Sequence, residues 1–182
     1  MTFGPIFVKN RNGQEIELRN AVPSDAAVLT DYLRITAGET PFLIREPDEG
    51  IPSDTEEREF LQRRLDAERE LLLLAFVNGQ HAGNCALMQV GAYKRYAHRC
   101  EIAIALYQAY CGMGIGRIML EAVLETAKET GYEQAELEVM ADNRNALALY
   151  RSLGFQSCGT VPHCVKYSDG IYGEAFRMIR YL

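Results

Sequence analysis

The sequence predicts an α/β domain covering residues 1–182, in which helices lie on both faces of a twisted, mixed sheet of about seven strands. Strand-like and helix-like segments alternate in the order βααβββαβαββ, which favours such a layered sheet. Asn78-Gly79 separates two apolar runs and is a strong hairpin signal. A glycine-rich segment joins a third apolar run to an amphipathic helix.

The first third of the chain predicts one strand and two helices. Ile16–Arg19 is a short strand. Ser24 or Asp25 is a suitable cap for a helix whose apolar residues continue to Thr36 at helical spacing. A loop rich in glycine and proline follows, and Ser53-Asp54-Thr55-Glu56 begins the second helix.

The rest of the chain predicts six strands and two helices. Apolar residues after Ile115 fall on one face of a helix that Gly131 is suited to end. A second helix covers Asn145–Leu153, and the last two strands flank the turn Ser168-Asp169-Gly170. The other four strands are Leu71–Val77, His81–Val90, Arg99–Tyr107 and Gln134–Met140.

The glycine loop is the most informative local feature. Gly112, Gly114 and Gly116 stand between a strand and a helix N-terminus, where unpaired N–H groups and the helix dipole favour an anion. The spacing excludes the two commonest phosphate loops. A P-loop needs Lys-Ser or Lys-Thr where Arg117-Ile118 stands, and a dinucleotide fingerprint needs G-x-G-x-x-G. A tight turn without a ligand remains the alternative.

Composition and charge exclude several classes of protein. Nearly half of the residues are apolar, no run is long enough to span a membrane, and no signal peptide is recognisable. A net charge of −6 argues against a general nucleic-acid-binding protein. The five cysteines are scattered without a C-x-x-C pair, which predicts reduced thiols, no metal site and a cytoplasmic location.

Seven acidic residues against one arginine make the segment from Glu46 to Glu59 strongly negative. One interpretation is a solvated loop and helix face. The other is an electrostatic field that attracts cationic amines.

A second segment, Asp142 to Phe155, gives the glycine loop a more specific meaning. Together the two segments resemble the GNAT superfamily of acyl-CoA-dependent N-acetyltransferases, whose loop has the form R/Q-x-x-G-x-G/A. The later family pattern, N-x-x-A-x-x-L-Y-x-x-x-G-F, is matched by Asn143, Ala146, Leu149, Tyr150, Gly154 and Phe155. The resemblance extends over about residues 14–182 and implies acetyl-CoA as co-substrate.

The resemblance also implies where the cofactor binds. The strand before the loop should carry a bulge and splay away from the strand at 134–140, so that a V opens between the fourth and fifth predicted strands. The pantetheine arm would meet the backbone of Ile104, Ala105 and Leu106. The pyrophosphate would lie on Cys111, Gly112, Met113, Gly114, Ile115, Gly116 and Arg117, with Asn143, Ala146 and Tyr150 nearer the thioester.

Cys111 departs from the family pattern, since arginine or glutamine usually occupies this position. Phosphate affinity would then depend more on backbone N–H groups and on Arg117. A position near a helix start could lower the pKa of the Cys111 thiol. Covalent catalysis by Cys111 is disfavoured, because family members transfer the acyl group directly in a ternary complex.

Tyr150 and Glu101 are the catalytic candidates that the resemblance implies. Tyr150 matches the tyrosine that protonates the leaving thiolate; the alternative is a packed helix residue. Glu101 shares a strand face with Ala103 and Ala105 and would accept the amine proton directly or through water. The alternatives are an exposed carboxylate paired with Arg99 and, for Asn143, a helix N-cap.

The sequence therefore predicts a cytoplasmic N-acetyltransferase that moves an acetyl group from acetyl-CoA to a primary amine. The acceptor would be a protein N-terminus, a small molecule or a polyamine, and a homodimer is compatible with the family. The alternative is an acyl-CoA-binding regulatory domain without turnover. Asn143, Tyr150 and Glu101 argue against this alternative, whereas Cys111 keeps it open.

Overall fold

A computed structural model describes all residues, Met1 to Leu182, and contains one eight-stranded mixed sheet with helices on both faces. The strand order is β1-β2-β3-β4-β5-β6-β8-β7, and only β5 and β6 are parallel neighbours. The predicted fold class is confirmed. In chain order the elements are β1 Ile6–Lys9, β2 Glu15–Asn20, α1 Ala26–Glu39, α2 Asp54–Asp66, β3 Leu71–Val77, β4 Gln80–Gln89, β5 Arg99–Leu106, α3 Ile115–Glu129, β6 Gln134–Met140, α4 Arg144–Ser152, β7 Gln156–Lys166 and β8 Tyr172–Tyr181.

Strand β1 is the element that the sequence prediction lacks. It has four residues, mostly exposed, and it pairs only with β2 at the edge of the sheet. Short exposed edge strands carry little alternation of apolar and polar residues, so periodicity does not reveal them. The β1–β2 turn brings residues 10–14 to the same end of the sheet as the end of β5, since β2 to β5 are successively antiparallel.

The two faces of the sheet carry different helices. Helices α3 and α4 pack on the face formed by Leu71, Leu73 and their neighbours, in a cluster of 26 buried residues. Helices α1 and α2 cover the opposite face, where Leu74 belongs to a cluster of five buried residues. On β5 the same alternation places Ile102 with α3 and α4, and Glu101 on the α1–α2 face.

Both N-terminal helices begin near the predicted residues, but with different caps. Ser53 accepts a hydrogen bond from the N–H of Glu56, and the Glu56 carboxylate accepts one from the N–H of Ser53, which is a complete capping box. Asp25 precedes α1 without capping it, because its carboxylate pairs with Arg19 and accepts from the N–H of Val22.

The V between β5 and β6 is present. The two strands pair over only three residues, from Arg99 to Glu101 on β5, and then separate. The predicted bulge does not lie on β5, which pairs with β4 in a continuous register from Cys100 to Leu106. It lies on β4, where the register with β3 skips Ala82. No helix combines the length and the apolar character needed to cross a membrane.

Candidate active site

The glycine loop presents a row of free backbone donors. None of the six successive N–H groups from Gly112 to Arg117 donates a hydrogen bond within the chain, and the first bond of α3 runs from the N–H of Ile118 to the carbonyl of Gly114. Gly114 caps the helix with φ of 84°, a conformation that other residues adopt only with strain. An added Cβ at Gly112 would meet no atom within 4 Å, so the space above the loop is open. These features fit a phosphate group.

Arg11 is a cation beside this loop that the sequence did not indicate. It lies in the β1–β2 turn, and its Nε atom is 3.4 Å from the position that a Cβ would take at Gly114. Arg11 is exposed and forms no ion pair. Arg117 points elsewhere: its Nη2 donates to Ser152 Oγ at 2.6 Å and its Nη1 approaches Glu121. Arg11 is therefore a cation within reach of the loop that has no partner in the chain.

Cys111 contributes less than its neighbours. Its N–H bonds to the carbonyl of Gln108, so the row of free donors begins at Gly112. The helix begins only at Ile115, and the predicted lowering of the thiol pKa is wrong in direction. Partial burial, with a smaller contribution from the Glu39 carboxylate, raises the pKa of Cys111. The thiol is therefore a weak nucleophile at neutral pH.

The open edge of β5 offers backbone groups to the V. The carbonyl of Arg99 and the N–H of Tyr107 bond to β4, so the intervening odd-numbered residues point the same way. Ile104 and Leu106 consequently direct their N–H and C=O groups toward the gap, beyond the last pair with β6. Ala105 faces β4, and its carbonyl accepts a hydrogen bond from the Tyr32 hydroxyl at 3.1 Å.

Asn143 acts as the N-cap of α4. Its Oδ1 atom accepts a hydrogen bond from the N–H of Ala146 at 3.1 Å. The side-chain NH₂ group donates no hydrogen bond within the chain and remains available to a ligand. The capping interpretation is thus realised, and contact with a cofactor stays compatible with it.

Tyr150 is held in place by its ring while its hydroxyl group is free. The residue is 7% exposed, and its ring packs edge-on against Phe155 at 5.9 Å. The hydroxyl has no hydrogen-bond partner, and it is not among the fully enclosed polar atoms, so it keeps some access to the surroundings. Burial raises the pKa of Tyr150, which keeps the group protonated and makes it a weaker acid than the sequence argument assumed.

Glu101 stands at the point where β5 leaves β6. It is exposed, and it is the last β5 residue paired with β6, opposite Glu136. Arg99 does not pair with Glu101 as the alternative interpretation held. Its guanidinium binds Glu136 through two hydrogen bonds, one of them 2.7 Å from Nη2 to Oε2. The carboxylate of Glu101 has no ion-pair partner and can accept a proton at the mouth of the V.

No cluster of three or more histidine, cysteine, aspartate or glutamate side chains has the geometry to hold a metal ion.

Known proteins are similar to this chain in sequence and in fold. The N-alpha-acetyltransferase of Sulfurisphaera tokodaii is 26% identical over 90% of the chain and 93% of its own length. A GNAT-family acetyltransferase from Streptococcus pneumoniae has a TM-score of 0.87 at 27% identity, covering 92% of this chain and 99% of that one. A Salmonella typhimurium putative acetyltransferase solved with its cofactor acetyl-CoA has a TM-score of 0.80 over 92% and 94% of the two chains, but at 19% identity it shows the fold alone.

Several other curated relatives match over about half of their length or less. One of them is the N-alpha-acetyltransferase RimI of Mycobacterium tuberculosis, 48% identical over 44% of this chain and 49% of its own length. Residues 39–155, more than half of the chain, match the Acetyltransferase (GNAT) family. The chain belongs to this family and is an acyltransferase.

Proposed function

We propose that the protein transfers an acetyl group from acetyl-CoA to a primary amine by direct attack in a ternary complex. The observation that carries the proposal is the row of six free N–H groups from Gly112 to Arg117, which follows β5 after one short turn. Two full-length similarities, to an N-alpha-acetyltransferase and to a GNAT acetyltransferase, favour an amine as the acceptor.

The chain offers groups for each part of the co-substrate. The free amides of the loop and the guanidinium of Arg11 would hold the pyrophosphate, because both present hydrogen-bond donors to one open space. The backbone of Ile104 and Leu106 would hold the pantetheine arm as an added strand at the open edge of β5. The free NH₂ group of Asn143 lies at the start of α4, two turns before Tyr150.

The two proton transfers fall to Glu101 and Tyr150. Glu101 would take one proton from the ammonium group, and the neutral nitrogen then attacks the thioester carbonyl carbon. As the C–N bond forms and the C–S bond breaks, the nitrogen releases its second proton to water. The free hydroxyl of Tyr150 would donate a hydrogen bond to the departing sulfur as negative charge develops there, and then its proton. The raised pKa of Tyr150 ensures that this proton is present at neutral pH.

An amine panel tests the proposal. Acetyl-CoA is mixed with the protein and an α-amino peptide, a polyamine or an aminoglycoside, and release of the free thiol is measured. We expect release with at least one amine and formation of the N-acetyl product, detected by mass spectrometry. Tight coenzyme A binding without thiol release from any amine would favour the regulatory domain instead.

A further inference from the structure

The acidic segment of the sequence contains one carboxylate that differs from the rest. Glu57 is 6% exposed, whereas the other acids between Glu46 and Glu59 are exposed or half-buried. Its carboxylate forms no ion pair and accepts no side-chain hydrogen bond. Burial of a carboxylate without such a partner costs folding free energy. Such a group is found where a ligand binds to it or where water in a cavity hydrogen-bonds to it.

Glu57 lines a cavity of about 550 Å³ between α1, α2 and the sheet. Apolar residues of both helices, including Leu29, Tyr32 and Phe60, form its walls, and Asn84 of β4 lines it as well. The Oδ1 atom of Asn84 is fully enclosed and has no hydrogen-bond donor. The lining of the cavity therefore includes two acceptor groups without donors, and the Glu57 carboxylate is the one that keeps access to the cavity.

The other charged residues of the cavity are already engaged or lie at its rim. Arg45 donates a hydrogen bond of 2.5 Å to the carbonyl of Gly50, and its charge only partly opposes the rise that burial causes in the pKa of Glu57. Arg63 is exposed. Glu56 is exposed and bound to Ser53. Glu57 is thus the carboxylate of the cavity that lacks a partner and that a ligand cation can neutralise.

The cavity lies on the sheet face that carries Glu101. Asn84 is opposite Ala105 in the β4–β5 register, and Met88 is opposite Glu101, so all four side chains point to the α1–α2 face. Asn84 and Met88 are four residues apart on β4, which corresponds to about 13 Å at the rise of a strand. A molecule whose reacting amine approaches Glu101 can therefore reach the cavity with a second group.

We infer that the acceptor carries a second cationic group, and that Glu57 binds this group in the cavity, beside Asn84, while the reacting amine lies at Glu101. The inference rests on the proposed amine acetylation and narrows its substrate class. A polyamine has such a second cation, and so does a peptide with lysine at its third or fourth residue, since an extended chain spans about 3.3–3.6 Å per residue.

Pairs of acceptors with and without the second cation separate the contribution of that cation to KM from the contribution of the rest of the molecule. One pair is spermidine and octylamine; the other is a peptide with lysine at its fourth residue and the same peptide with norleucine there. In Glu57→Gln we expect KM to rise about tenfold or more for spermidine or the lysine peptide, with kcat unchanged and no change for the neutral partners. Whichever cationic acceptor responds identifies the source of the cation.

Glu59→Gln on the same helix is the control, because Glu59 is exposed, and it should change none of these constants. Thermal unfolding verifies that Glu57→Gln is folded. An equal rise in KM for both members of a pair, or a loss of kcat, would overturn the inference while leaving acetylation intact. Absence of thiol release in the unmodified protein would overturn the proposed function. In that case, calorimetry of spermidine binding to the unmodified protein and to Glu57→Gln still decides whether Glu57 binds a cation, and equal binding overturns the inference.

Discussion

The two faces of the sheet differ in how many residues they bury and in whether their enclosed polar atoms have hydrogen-bond partners. The α3–α4 face buries 26 residues in one cluster, whereas the cluster under α1 and α2 has five. Three of the four enclosed polar atoms without partners lie on the α1–α2 face, at Asn84 and at both ring nitrogens of His81; the fourth is the Tyr167 hydroxyl beside Gly173 of β8. His81 packs against the ring of Tyr32, and burial lowers its pKa to about 4, so it is neutral at pH 7. The closely packed face supports the glycine loop, and the looser face contains the cavity that we propose for the acceptor.

Two buried tyrosines allow the sharpest test of this contrast. Tyr150 lies on the α3–α4 side with a free hydroxyl, and Tyr32 lies on α1 with its hydroxyl bonded to Ala105. Tyr150→Phe should lower kcat by about 10²-fold, the range of a lost proton donor, with little change in the Kd for coenzyme A. Tyr32→Phe should change kcat only slightly. Turnover by thiol release and binding by calorimetry measure both effects, and equal losses in kcat would refute the assignment of Tyr150 as the acid.

Substitutions at two glycines of the loop distinguish the effect of backbone strain from the effect of an added side chain. Gly114 has φ of 84°, whereas an added Cβ at Gly116 would make only ordinary contacts, the nearest at 3.5 Å to Leu149. Gly114→Ala should strain the loop and raise the Kd for coenzyme A about tenfold, because a residue other than glycine in the left-handed region costs roughly 1–3 kcal/mol. Gly116→Ala should leave the Kd nearly unchanged. If calorimetry gives the same affinity for both variants, the loop does not hold the cofactor.

The Arg11→Ala variant tests whether Arg11, in the β1–β2 turn, takes the place of the arginine or glutamine that the family usually has at position 111. Arg11→Ala should raise the Kd for coenzyme A about fivefold, since an exposed charged contact contributes roughly 1 kcal/mol. The difference from the unmodified protein should shrink in high salt. Arg34→Ala is the control, because Arg34 is exposed on α1 and pairs with Asp31. If Arg11→Ala does not change the Kd at low salt, Arg11 does not bind the phosphate, and the backbone amides are the groups that hold it.

The sequence predicts the proposed cofactor side in more detail than the proposed acceptor side. Glycine spacing and helical periodicity encode the loop locally, and Tyr150 follows from a short motif, so these features can be read from adjacent residues. Arg11 is about a hundred residues from the loop, and its proximity depends on the strand order. Glu57 lies among six other acids of similar sequence context, and only the packing of α2 on the sheet distinguishes it. Strand β1 was missed because exposed edge residues show no alternation.

The short ladder between β5 and β6 has a mechanical consequence. Three residue pairs, reinforced by the pair of Arg99 and Glu136, are the main-chain connection between a half-sheet of five strands and one of three. A ligand that lies along the open edge of β5 would bridge the gap between the two half-sheets. The two half-sheets would then separate less readily, so binding of a ligand at the site would lower the flexibility of the whole sheet.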